Sequence, residues 1–140
     1  MTSFTLGNDG SDQVIVRITG RPDAQDDWLD ASISVRAGAF SASIPVSLST
    51  CDFRPFREQL EALYQTLDGT AAFNTREQQL GIVCRGNGLG GIAVEGVTND
   101  QVSDGNTLRL QFNIDQSFLP AIIEDLREVE AAFPNRVHPP

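Results

Sequence analysis

Lysine is absent from this chain, and histidine, tryptophan, tyrosine and methionine occur once each. A catalytic imidazole needs packed surroundings to fix its tautomer and pKa. His138 stands in the last three residues beside two prolines, so no Ser–His or Cys–His catalytic pair is expected. Cys51 and Cys84 are too few and too far apart for a disulfide framework or a zinc knuckle. They read as reduced thiols of a cytoplasmic protein. No apolar run approaches the roughly 20 residues that span a bilayer, and Met1 to Gly10 lacks the basic and apolar regions of a secretory signal. These absences leave no expected cofactor, no metal site and no enzymatic activity.

What is present describes a folded chain. Its 140 residues are the ordinary size of one domain, expected over residues 1–140 with 134–140 as a polar C-terminal tail. Hydrophobic content of 40% is slightly low and charged content of 21% close to the globular average, so disorder is not the default reading. Nineteen acidic residues face ten basic ones, all arginine, for a net charge of −9. Such a surface repels phosphate backbones and anionic membranes, which excludes nucleic acid and membrane as expected partners. It attracts a cationic protein, although the same charge also serves solubility alone.

Period-two alternation marks strands. Leu29, Ala31, Ile33 and Val35 share one face of Trp28–Arg36; Phe40, Ala42, Ile44, Val46 and Leu48 share one face of Phe40–Leu48. Leu108, Leu110, Phe112 and Ile114 repeat the pattern. Alternation of this kind implies antiparallel strands with one face in water. Weaker strands are expected at Gln13–Thr19, Thr70–Asn74, Gln79–Arg85 and Gly91–Val97. Ala37–Gly38 reads as a tight hairpin, and Pro45 places its strand at an edge or a bulge. Apolar residues at helical spacing predict helices over Asp52–Leu67 and Phe118–Phe133. Asp52 and Ser117 are the expected N-caps, Pro55 and Pro120 fall in the first turns, and Gly69 and Pro134 act as stops. The expected class is therefore α+β: mainly antiparallel sheet of about seven strands with two helices, in the order β-β-β-α-β-β-β-β-α. Both helices are expected to lie against one face. The shared cap–Phe–x–Pro openings at Asp52–Pro55 and Ser117–Pro120 fit an internal duplication or ordinary helix-start chemistry.

Candidate binding residues are acidic. Asp23, Asp26, Asp27 and Asp30 surround Trp28 but lack the ligand spacing of an EF-hand loop; they read as a solvated loop or a partner-binding one. Trp28 is either an interface anchor or an aromatic capping the core. Glu124, Asp125 and Glu128 form an acidic stripe on the second helix, which equally suits a solvated face. The glycine-rich run Gly86–Gly91 does not open a helix, and a Walker lysine is absent, so a hairpin is expected rather than a phosphate loop.

Asp27-Trp28-Leu29, the Gly38-x-Phe40 strand start, Phe56-x-x-x-Leu60-x-x-Leu63-Tyr64-x-x-Leu67-x-Gly69 and Asp115-Gln116-x-Phe118-Leu119-Pro120 resemble the WapI-like family of small bacterial immunity proteins. The resemblance covers about Asp26 to Phe133. It implies a protein that binds and neutralises a cognate toxin used in bacterial competition, with no family active site to carry over. Electrostatics then favour a basic nuclease-type toxin domain, occluded by direct contact. The alternative is a non-catalytic scaffold domain without a toxin.

Overall fold

The structure, a computed structural model, describes residues 2–8 and 10–136. Eight strands and two helices follow in the order β1 (Thr2–Gly7), β2 (Gln13–Gly20), β3 (Trp28–Ala37), β4 (Phe40–Ser49), α1 (Phe53–Thr66), β5 (Asp68–Asn74), β6 (Leu80–Asn87), β7 (Gly91–Asn99), β8 (Thr107–Asp115) and α2 (Leu119–Ala132). They form two antiparallel four-stranded meanders, β1-β2-β3-β4 and β5-β6-β7-β8. The α+β class and antiparallel pairing agree with the alternation in the sequence. The strand beyond the expected seven is β1, where only Phe4 and Leu6 turn inward. Two apolar positions are too short a pattern to identify a strand.

The chain is a doubled β-β-β-β-α unit. α1 begins at Phe53 and α2 at Leu119, 66 residues on. The same step carries the buried Ile44, Val46 and Leu48 of β4 onto Leu110, Phe112 and Ile114 of β8, and Phe56, Leu60 and Leu63 onto Ile122, Leu126 and Val129. One hydrogen bond recurs at matching places: Thr50 N–H donates to the Asp27 carbonyl at 2.8 Å, and Gln116 N–H to the Gly90 carbonyl at 2.9 Å. The two proline-containing helix openings are 65 residues apart and do not superpose in this frame. The equivalent caps are Ser49 and Asp115, each starting a short 3-10 turn ahead of its helix. Asp52 instead reaches back to accept the Ser49 N–H at 2.8 Å, completing a capping box. The stop of α1 also differs from expectation. Leu67 itself takes the left-handed conformation, φ 59, held by its carbonyl accepting Gly88 N–H at 2.8 Å.

Each helix packs on the first strand of a sheet. α1 packs on β5, α2 packs on β1, and the helices meet each other. The Gln59 side chain of α1 accepts the Ala72 N–H of β5 at 2.8 Å, so the helix satisfies the strand's edge as well as covering it. Between the sheets, Phe4 of β1 meets Phe73 of β5 edge-to-face, with ring centroids 5.4 Å apart at 79°. Phe53 and Phe56 of α1 close the cluster at 5.4 to 6.4 Å. All four rings are essentially inaccessible to water. Truncating either Phe4 or Phe73 to alanine is expected to cost about 3–5 kcal/mol, the usual penalty for a buried aromatic. The double variant should lose less than the sum, because the two sites share one cavity; urea unfolding measures both.

Candidate functional site

The β2–β3 connection, residues 21–27, is shaped by its own acids. The Asp23 carboxylate accepts Gln25 N–H at 2.9 Å and the Asp26 carboxylate accepts Trp28 N–H at 3.0 Å, two local turns of the kind short carboxylates favour. Asp27 points the other way. It is 6% exposed and its carboxylate accepts Arg136 N–H at 2.6 Å. Arg21 donates to the Pro134 carbonyl at 2.5 Å, so this loop and residues 134–136 hold each other. Trp28 and Asp30 stand on the outer face of β3, opposite Ser49 and Ser47 of β4. The indole is 37% exposed and outside the core, which removes the core-capping reading. The fold thus brings Asp23, Asp26, Trp28 and Asp30 to the surface of one sheet end and turns Asp27 inward. Beside them Ser34 pairs directly with Ser43, and Ser32 and Ser41 extend the same hydroxyl-rich face.

On α2, the core claims Ile122, Ile123, Leu126 and Val129. That leaves Glu124 and Glu128 exposed and Asp125 half-buried on the far side. Basic residues are drawn toward the helix pair instead. Arg57 of α1 bonds Glu130 at 2.5 Å and also its own helix's Glu61, and its guanidinium is held more firmly protonated by those two carboxylates. Arg127 reaches Glu61 at 3.4 Å and Glu124 at 3.8 Å. Asp125 and Glu128 have no ion pair among the described residues. Burial, followed by repulsion from Glu128 and Glu124, pushes the Asp125 carboxyl above its usual range. Residues 134–136 continue from α2 onto the β2–β3 loop, which makes the loop acids neighbours of that helix's C-terminal end.

Other features were not legible in the sequence. A cleft of about 540 Å³ lies between the β1–β2 turn and strands β7 and β8, lined by Asn8, Asp12, Glu95, Gln111 and Asn113 among others. A second, of about 390 Å³, runs over β5 to β8 and shares Glu95 and Gln111 with it. Only the folded pairing assembles these residues. The glycine-rich run is the β6–β7 hairpin, closed by Asn87 accepting Leu89 and Gly91 N–H groups at 2.8 and 3.0 Å. Both cysteines are free, Cys84 buried and Cys51 half-buried, and burial pushes the Cys84 thiol up to about 12. Among the described residues no group of three or more His, Cys, Asp or Glu side chains could hold a metal. No helix there is long and apolar enough to cross a membrane. His138 lies outside the described residues.

The fold is a doubled α+β unit that carries nineteen acidic residues against ten basic ones. The model of the immunity protein WapI-like family matches residues 5–134, and the chain belongs to that family. No curated protein matches the chain.

Two measurements check the electrostatic account. A carboxyl whose folded pKa is raised weakens the fold as pH rises through that pKa. Asp125→Asn should therefore raise the melting temperature at pH 7, with the gain vanishing once acid has protonated the native carboxyl. In thiol titration at pH 8, where the thiolate is the reacting form, Cys84 should stay unmodified until the protein is denatured, while Cys51 reacts in the native state.

Proposed function

We propose that this protein neutralises a cognate toxin by direct contact, without catalysis, inside the cell that makes both. The family match over residues 5–134 carries this reading. The charge of −9 and the excess of unpaired surface acid favour a basic toxin domain, of which a nuclease is the chemical type with most to gain from a cationic cleft. The contact surface is proposed at Trp28 with Asp23, Asp26 and Asp30, extended along α2 by Glu124, Asp125 and Glu128. Asp27 belongs to this site as the residue that fixes the loop, since its carboxylate is occupied by Arg136 N–H. Burial and repulsion both work against Asp125 in the α2 cluster, which suits a binding role better than a stabilising one.

Exposed charges at an interface rim act mostly on the association rate. The triple variant Asp23→Asn, Asp26→Asn, Asp30→Asn should associate with the toxin domain at least several-fold more slowly at low salt, with a flatter salt dependence and little change in dissociation. Trp28→Ala should instead speed dissociation, by an amount worth about 2 kcal/mol or more if the ring anchors the complex. Unchanged association of the folded triple variant would move the interface off the acidic loop and toward the face of Ser32, Ser34, Ser41 and Ser43. Surface plasmon resonance with the toxin domain as analyte reads all of these rates.

A further inference from the structure

Each sheet has two edges, and the protein treats them differently. The first strands, β1 and β5, are covered by α2 and α1. The last strands, β4 and β8, have no partner beyond β3 and β7 among the described residues. In β4 the two-residue turn at Gly38 and Ala39, with Gly38 at φ 61, makes Ala37–Phe40 the closing hydrogen-bonded pair. Residues 42, 44, 46 and 48 then bond to β3, and residues 41, 43, 45 and 47 point their backbone outward. Pro45 sits in the middle of that outward set and offers no N–H. The next outward N–H, Ser49, is taken by Asp52. This edge is blunted.

In β8 the loop closes through Asp100 N–H donating to the Asn106 carbonyl at 3.0 Å. The same alternation turns the N–H groups of Thr107, Arg109, Gln111 and Asn113 outward. By the 66-residue step between the halves, the position matching Pro45 is Gln111. One of two equivalent edges is therefore blocked and the other left open at the same place. Gln111 of the open edge also lines both clefts, which lie over the neighbouring sheet face and share Glu95. Asp12 and Glu95 supply the charge of the larger cleft, one Asp12 oxygen accepting Gly38 N–H at 2.8 Å and Glu95 being shared with Arg85 at 2.9 Å. Arg109 lines the other.

We infer that β8 is a docking edge, on which an extended segment of the cognate toxin adds as a fifth strand, with a basic side chain directed at Asp12. Strand addition draws its affinity from main-chain hydrogen bonds and its selectivity from alternate side chains. A second copy of this chain is the poorer occupant, since two such molecules would each bring a charge of −9. This inference rests on the immunity reading and adds a contact that the acidic loop does not contain.

Gln111→Pro writes the native β4 solution into β8, where the scaffold already accepts proline at the equivalent site. The folded variant should bind the toxin domain at least 100-fold more weakly, while Pro45→Ala changes affinity less than twofold. Independently, hydrogen exchange on the native protein should show the amides of Arg109, Gln111 and Asn113 becoming protected when the toxin domain is added. A folded Gln111→Pro protein that binds within twofold of native, or unaltered exchange at those three amides in the complex, overturns the docking edge and leaves the immunity reading standing. Protection that grows with protein concentration without toxin would assign the edge to self-association and overturn it too. Failure of the native protein to bind the toxin domain at all would instead remove the immunity reading.

Discussion

The edge-to-face contact of Phe4 with Phe73 is the contact on which the two halves depend. These residues belong to the first strands of the two sheets, and Phe53 and Phe56 of α1 pack around both rings. Burying an aromatic side chain contributes area and a directional ring preference together, so the cluster sets the distance between the sheets as well as holding them. With that distance fixed, α1 can lie along β5 and α2 along β1, and the two helices can meet through Arg57 and Glu130. The outer sheet faces and the loops are then free to carry polar residues without cost to the core.

How much of this is visible in the sequence depends on how far each signal reaches. The antiparallel class follows from alternation in residues 28–36, 40–48 and 108–114, a local property that the fold only has to respect. Pro45 announces an edge strand for the same reason. β1 is harder, because Phe4 packs on Phe53, Phe56 and Phe73 and the strand is met by α2, all far along the chain. Asp52 stands at the N-cap of α1 as expected, but its carboxylate takes the Ser49 N–H in place of a capping bond, and the N-cap of α2 is Phe118, one residue past Ser117.

The candidate site shows the same limit more sharply. Asp23, Asp26, Asp27 and Asp30 look alike as letters, and nothing in their spacing says that one is turned inward. Only the arrival of Arg136 from the other end of the chain separates Asp27 from the rest. The clefts around Glu95 and Gln111 are likewise products of strand pairing, made from residues that are unremarkable in sequence order. Acidity of the surface was legible; its division into structural and exposed carboxylates was not.

The packing of α2 on β1 also governs timing. The first strand emerges early in synthesis, yet one helix that packs on it is residues 119–132, so its native cover is incomplete until that helix has left the ribosome. Contacts of such long sequence separation close late and slow the search for the native state. A chain interrupted before Leu119 exposes the part of β1 that α2 covers, an unpaired strand edge included, and such a state is prone to aggregation. Folding is thus conditional on translation reaching α2, and a partly made chain presents a hazard to be cleared rather than a weak version of the protein.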